Sequence, residues 1–211
     1  MLTRLIIIIT ALVISGCASF PSEKLAKVES LPDVSSYKQK PKVVIDLKLF
    51  SGKPGTENAI EIAQAQPELQ RITSKVIDDA QLFADVSYDS FAQADADYVI
   101  KLHLYNHGDQ GAAAVMGFLS GFTFGVIPAA ATDKYTLQAE VFQNKQSLTT
   151  LENNDEMTTW IGIWFIPMMG NTPQKGFEAV FSNMVKDALN KMVAEKQIKY
   201  ALLPYPLRTV S

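Results

Sequence analysis

Four stretches of the chain alternate between apolar and polar side chains, which is the pattern of a strand with one buried face. They predict strands at residues 42–50, 98–105 and 134–142, and a fourth that begins at 147 and continues toward Trp160. Asn144 and Lys145, between the last two, predict a hairpin turn. Strands in this order favour a mainly antiparallel sheet.

Two further stretches repeat their apolar residues with the period of an α-helix. The first covers residues 67–84, with Pro67 near its start, a position that helices tolerate. The second covers residues 173–194 and has a wide apolar stripe, formed by Phe177, Val180, Phe181, Met184, Val185, Ala188, Leu189 and Met192. Together these elements predict an α+β fold in which two helices pack on the sheet, with an apolar, Gly-rich insertion.

The insertion, residues 111–132, contains no ionisable side chain. Structureless loops longer than about 12–15 residues are uncommon and usually functional or disordered. Gly117, Gly121 and Gly125 recur every fourth residue, and on a helix they would form a groove that another helix can approach closely. Three interpretations stay open. The segment is a helix or hairpin buried on the domain's own sheet, a membrane-facing or self-associating helix, or a membrane-inserting β-hairpin.

Aromatic side chains mark two apolar segments as possible contact surfaces. Phe122 and Phe124 alternate with small residues in the insertion, as they would in a membrane-inserting hairpin. Trp160 and Trp164, the only tryptophans, lie in the apolar residues 160–170, and tryptophan favours membrane interfaces and binding sites. This second segment is either a buried strand that closes the core or, together with the insertion, an apolar platform that faces lipid or a partner.

The first 16 residues have the three parts of an export signal. Arg4 gives a positive start, residues 5–13 form an apolar run, and Ser15 and Gly16 are small. As a helix the apolar run measures about 14 Å, whereas a bilayer core is about 30 Å thick. We therefore expect a removable signal peptide at residues 1–16 rather than a permanent membrane span.

The residues that follow the apolar run are more specific. Ile14, Ser15, Gly16 and Cys17 resemble the lipobox of bacterial lipoproteins, an aliphatic residue and two small residues before a cysteine. The resemblance implies cleavage before Cys17 and attachment of diacylglycerol, and hence of fatty acids such as palmitate, to its sulfur. In that family an aspartate after the cysteine commonly marks retention in the inner membrane. Position 18 is alanine, which implies the outer membrane of a Gram-negative bacterium, with the domain facing the periplasm.

The remainder of the chain divides into three parts. Residues 17–42 contain the lipidated cysteine and a proline-containing stretch without a sustained period, which predicts a flexible tether. Residues 43–203 form the α+β domain, with the insertion at 111–132, and residues 204–211 form a C-terminal tail.

Short motifs follow one another over residues 42–105. A strand and a helix precede F-x-x-V at 83–86 and A-D-Y at 96–98, and a second strand follows. This order is similar to that of the N-terminal domain of TolB and of small α+β envelope lipoproteins. The resemblance implies the fold of this part of the chain only.

Composition and charge exclude several classes of protein. The formal net charge is −3, the opposite of what nucleic-acid binding favours. A single cysteine excludes an intrachain disulfide, a CxxC redox pair and any multi-cysteine zinc site. The nucleophile elbow, the P-loop, the Rossmann glycine pattern and HExxH are all absent from the sequence. We therefore predict neither an enzyme nor a cofactor.

The only two histidines are the remaining candidate chemistry. His103 and His107 lie four residues apart, with Asp109 nearby. On a straight strand the two side chains are about 13 Å apart, which is too far for one metal ion, unless a turn at residues 106–108 brings them together. Solvated residues at a strand end are the simpler interpretation, so no metal site is predicted.

Taken together, the sequence predicts a non-catalytic binding or assembly component of the cell envelope. Its expected partners are membrane lipid, through acylated Cys17, and either an envelope protein or further copies of the chain. Two alternatives stay open. The chain is a pore or membrane-remodelling subunit that inserts residues 111–132, or an envelope hydrolase or metal protein that uses His103 and His107.

Overall fold

Seven strands of the described part of the chain form one mixed sheet, in a computed structural model that describes residues 16–108, 120, 123 and 126–200. They are β1 (Gly16–Pro21), β2 (Lys42–Ser51), β3 (Ile60–Glu61), β4 (Asp85–Ser87), β5 (Tyr98–Asn106), β6 (Ala129–Gln143) and β7 (Gln146–Gly162). Across the sheet the order is β1-β7-β6-β5-β2-β3, and β4 also pairs with β2. All pairs are antiparallel except β2–β5 and β2–β4.

Two long helices cover one face of this sheet. They are α1 (Gln66–Ala80) and α2 (Pro173–Ala194). Because β2 and β5 are parallel, the chain must cross from one end of the sheet to the other between them, and α1 lies on that crossover. The predicted α+β class, with a largely antiparallel sheet and two packed helices, is confirmed.

The core lies between the helices and the alternating inner residues of the strands. Ile45 and Leu47 of β2, with their strand neighbours Ile100, Leu102 and Leu104 of β5, are almost fully buried. The stripe of α2 packs against the same cluster, and Phe181, Met184 and Leu189 are among its fully buried side chains. The period-2 and period-3.6 patterns of the sequence therefore meet in one hydrophobic core.

The strands β6 and β7 extend further than the alternation of the sequence predicted. Residues 134–142 alternate, but β6 begins at Ala129 and pairs along its whole length with β7. The end of the predicted insertion, residues 129–132, is therefore strand and belongs to the sheet. No alternation marks this part because its side chains are alanines and a threonine, which suit either face of a strand.

The expectation of a flexible tether over residues 17–42 is wrong for its first part. Gly16–Pro21 is an edge strand, paired antiparallel with β7 from Gly162 to Met157. Residues 22–40 are largely irregular, as the prolines imply, yet they are held on the domain. Val34 is buried in the core, and the side chain of Asn183 in α2 binds the backbone of Leu25, Ala26 and Val28. The Asn183 contacts join residues 155 to 158 positions apart, so no local pattern predicts them.

Several predicted segments fall outside the described residues. They are the export signal up to residue 15, the insertion from 111 to 119, and the C-terminal residues 201–211, which include the predicted domain end at 203 and the tail at 204–211. No described helix is long and apolar enough to cross a membrane.

Candidate functional site

One end of the sheet extends beyond the end of β5. The last residue of β5, Asn106, lies opposite Tyr135, and β6 continues from there back to Ala129. At about 3.4 Å per residue, these six positions extend the sheet by ~20 Å. Of the strands that the structure describes, β6, β7 and β1 are the ones that reach this part. We call residues 16–21, 129–134 and 157–162 the projecting end.

Cys17 lies one residue from the tip of the projecting end. It is opposite Ile161, which is in turn opposite Ala129, so the three residues form one row across the sheet. The Cys17 side chain is half-buried, and its neighbours Ala18 and Ser19 are buried. The structure thus places the predicted lipid-attachment residue inside a paired strand.

Two further contacts fix β1 in this position. The Ser19 hydroxyl lies 2.7 Å from the hydroxyl of Thr159, and its backbone N–H donates to the carbonyl of Asn171 at 2.8 Å. On the other face, the 3-10 turn Ile163–Met168 folds back over the strand so closely that a Cβ atom on Gly16 would overlap the backbone of this turn. The Ser19 contacts and this turn therefore hold the strand in place beside β7.

The projecting end is surrounded by exposed apolar side chains. Ten large apolar side chains of the described residues are exposed, and seven lie at this end of the molecule. We call these seven the apolar surface, and they are Val126, Ile127, Trp160, Ile161, Trp164, Met168 and Met169. The interpretation of residues 160–170 as a buried strand is wrong, because β7 ends at Gly162 and the following turn buries none of its side chains.

Aromatic contacts hold the parts of the apolar surface together. The indole N–H of Trp164 donates to the carbonyl of Val126 at 3.0 Å, which joins the turn after β7 to the residues before β6. The ring of Trp160 stacks on Phe165 with 5.6 Å between centroids. Trp164 is nevertheless 63% exposed, so most of its ring faces outward.

No charged side chain interrupts this surface. Residues 16–22, 126–132 and 157–172 contain no Asp, Glu, Lys, Arg or His. Charges begin at the border, with Asp133 and Lys134 in β6 and Glu156 in β7, where Lys24 forms an ion pair with Glu156 at 2.8 Å. Lys175 also lies at this border, where its ammonium donates to the carbonyl of Gly170 at 2.9 Å. The described part of this end is therefore neutral and apolar, and ionisable groups lie around its base.

The predicted contact residues of the insertion lie outside the described residues. This holds for Gly117, Gly121 and Gly125, and for Phe122 and Phe124. Ser120 is described and buried, with its hydroxyl 3.5 Å from the carbonyl oxygen of Ile161. One residue of the insertion thus lies against the projecting end.

The two histidines occupy separate environments. His103 Nε2 lies 3.4 Å from Asp46 Oδ2 on the sheet face that the helices leave open. His107 Nε2 lies 2.9 Å from the hydroxyl of Thr136. The described residues contain no cluster of three potential metal ligands of the His, Cys, Asp or Glu type. Asp109, which the sequence placed near them, is outside the described residues.

The open face of the sheet has an aromatic cluster that sequence reasoning missed. Phe50 stacks on Tyr105 with centroids 4.9 Å apart and meets the edge of His103 at 5.6 Å. Burial beside these rings raises the pKa of Tyr105. On the same face Lys101 lies 4.5 Å above the Phe142 ring, a cation–π contact. The signal was present as outward-facing aromatic residues, but only the strand register shows which of them meet.

A buried polar group joins β7 to α2. The Asn153 amide donates to the carboxylate of Asp187 at 2.8 Å and to the carbonyl of Met184 at 2.9 Å. Lys191 donates to the same carboxylate at 2.7 Å. Because the group connects a strand to a helix, we assign it a structural role.

Comparison with known proteins identifies no family for this chain. No family model matches it, and no curated protein matches it. Solved structures that match this chain include a Xanthomonas campestris protein of the family model DUF330, with 10% identity, a TM-score of 0.39, and coverage of 81% of this chain and 94% of that one. A PelC dodecamer from Paraburkholderia phytofirmans has 10% identity, a TM-score of 0.36, and coverage of 83% and 95%. A putative neuraminyllactose-binding hemagglutinin homolog from Helicobacter pylori has 12% identity, a TM-score of 0.34, and coverage of 82% and 87%. These TM-scores are all below 0.5, and we draw no functional conclusion from them.

Proposed function

We propose that this chain is a lipoprotein of the bacterial cell envelope that acts without catalysis as a binding or assembly component. Acyl groups on Cys17 anchor it in the outer membrane, and the α+β domain faces the periplasm. The observation that carries the proposal is the sequence Ile14-Ser15-Gly16-Cys17 directly after the apolar run of residues 5–13. One fatty chain gives only marginal membrane binding, so diacylglycerol on the sulfur provides the stable anchor.

The position of Cys17 in the fold supports this proposal. Cleavage before Cys17 leaves β1 with five of its six residues, and the pairing from Ile161 to Met157 is kept. The half-buried side chain of Cys17 lies in the row of residues next to the tip of the sheet. Acyl chains attached at Cys17 are therefore joined to the domain at this end of the sheet.

A binding or assembly role is supported by surfaces rather than by a catalytic centre. The apolar surface and the aromatic cluster of the open sheet face both offer contact area for a partner. The partner is an envelope protein or another copy of the chain, and Gly117, Gly121 and Gly125 remain the proposed contact for self-association.

The experiment that tests the anchor is metabolic labelling of the full chain in a Gram-negative host. We expect radiolabelled palmitate to enter the wild-type protein, and the label to be lost in Cys17→Ser. Separation of inner and outer membranes then locates the labelled protein. A matched control is Ser19→Cys in the Cys17→Ser background, since it restores a thiol two positions away, outside the lipobox. Label that enters all three proteins equally, or none of them, would refute the proposal.

A further inference from the structure

We propose that the projecting end lies directly on the phospholipid surface, so that the apolar surface binds the bilayer in addition to the acyl chains. The inference rests on the proposed function, because it takes Cys17 as the acylated residue. It adds that the protein itself contacts lipid, and it fixes which end of the domain faces the membrane.

The first argument is the distance between the anchor and the domain. A flexible tether of 25 residues would let the domain lie ~28 Å from the membrane on average. Instead Cys17 pairs with Ile161 inside the sheet, and the residues after β1 are bound to α2 through Asn183. Only the side chain of Cys17 and its glyceryl group separate lipid from folded protein, so the row that contains Cys17 is held at the membrane.

The second argument is the chemistry of the side chains around the anchor. Tryptophan is enriched at the interface between lipid and water, where one part of the ring is in an apolar environment. The indole N–H of Trp164 is already bonded to the carbonyl of Val126, so its ring can leave water without losing a hydrogen bond. Residues 16–22, 126–132 and 157–172 have no ionisable side chain other than the Cys17 thiol. The nearby cation Lys175, which donates to the carbonyl of Gly170 at 2.9 Å, has the sign that anionic headgroups attract.

The third argument distinguishes lipid from a second copy of the chain. Two copies that covered their apolar surfaces against each other would trap two sets of acyl chains between the two Cys17 residues. The same surface on a bilayer places those chains in hydrocarbon. Cys17 lies beside Ile161, which belongs to the apolar surface. The acyl chains and the apolar side chains therefore contact the same bilayer.

The experiment uses the acylated wild-type protein, reconstituted into vesicles of phosphatidylethanolamine and phosphatidylglycerol. Both tryptophans of the chain belong to the apolar surface, so intrinsic fluorescence reports on it without a label. We expect emission to shift to shorter wavelength on reconstitution, and to be quenched when the lipids are brominated on their acyl chains. Emission that is unchanged in brominated vesicles would overturn the inference.

The matched control moves the reporter to the opposite end of the sheet. Leu148 lies near the start of β7 and is also exposed, at 41%. In a variant with Trp160→Phe, Trp164→Phe and Leu148→Trp, bromolipid should leave the emission unchanged. Equal quenching of this variant would mean that the domain has no fixed orientation, and would also overturn the inference.

A second measurement separates failure of this inference from failure of the proposed function. The mass of the mature protein shows whether Cys17 is acylated, which tests the anchor alone. The chain of residues 17–211 with Cys17→Ser, which lacks the apolar run of residues 5–13, tests the apolar surface alone when it is added to the same vesicles. We expect weak binding, reduced by roughly tenfold in Trp164→Glu, because the ring of a large apolar side chain no longer enters lipid. The lipid contact would be refuted if the Cys17→Ser protein did not bind the vesicles, or if it formed a dimer that covered the tryptophans instead. Neither result would contradict acylation of Cys17.

Discussion

Asn183 holds the N-terminal segment on the domain, and its removal gives a specific prediction. The Asn183 side chain accepts a hydrogen bond from the backbone N–H of Val28 at 2.8 Å. It also donates to the carbonyls of Leu25 and Ala26 at 3.4 and 3.3 Å. Asn183→Ala removes all three contacts. The segment that follows β1 should then open more often, while the core stays folded.

The size of the effect follows from these distances. A typical hydrogen bond contributes about 0.5–1.5 kcal/mol net, and two of the three are long. We therefore expect the free energy of local opening to fall by about 1–2 kcal/mol, which corresponds to a factor of roughly 5–30 in the open population. Leu25 and Leu31 pack on the core, and their contacts limit the change to this range.

The assay is amide hydrogen exchange at Val28, compared with amides of β5 in the same sample. Exchange at Val28 should accelerate by that factor, with no change in β5. Asn190→Ala, two turns further along α2, is the control and should leave Val28 unchanged. Asn183→Asp keeps the oxygen that accepts from Val28, so its exchange rate at Val28 should lie between those of wild type and Asn183→Ala. Exchange that accelerates equally in β5 and at Val28 would refute the idea of a local clamp.

Three further predictions concern the core, an ion pair and a close contact. Phe181→Ala should reduce the free energy of unfolding by about 3–5 kcal/mol in urea titration, since Phe181 is fully buried. Arg71 lowers the pKa of Glu178 through a 2.8 Å hydrogen bond. The pair stabilises the fold above the unfolded pKa of Glu178, and this contribution is lost as the pH falls through the lowered folded value. Arg71 also pairs with Glu68 and lowers the pKa of that carboxyl. The difference in unfolding free energy between wild type and Arg71→Ala should be below about 1 kcal/mol at pH 7 and 0.1 M salt. It should shrink as the pH falls through the lowered pKa values of the two carboxyls. A difference that grows at low pH would contradict this. Gly176→Leu should destabilise the domain by about 1–3 kcal/mol, measured by thermal unfolding, because even a Cβ there lies 2.6 Å from the sulfur of Met157.

The two helices show what the local sequence pattern predicts correctly and what it does not. The apolar stripe predicted α2 at residues 173–194, and the helix occupies those residues, with the Thr172 side chain accepting from the N–H of Lys175 at its start. The end of α1 was predicted at 84, but the helix ends at Ala80. Gln81 adopts a left-handed conformation with φ of 49° and closes the last turn. Glycine usually marks such a position, so glutamine gave no signal.

For the candidate site too, the sequence identifies the motif, and the tertiary structure determines where its residues lie. The lipobox residues are contiguous, so the sequence alone names Cys17 as the candidate. The pairing of Cys17 with Ile161 joins residues 144 positions apart, and nothing within β1 specifies that partner. The aromatic pair of Phe50 and Tyr105 likewise depends on the register of β2 and β5.

By itself the sequence determined the α+β class, both helices, the central strands and the candidate for lipidation. Each of these depends on residues that are close together in the sequence, within a single helix, strand or motif. The tertiary structure alone decided that the segment after Cys17 is bound to the domain and that β6 and β7 project beyond β5. It also decided that Trp160 and Trp164 are exposed beside the cysteine. These properties depend on contacts between distant residues, whose free energy is gained only when the whole sheet has formed.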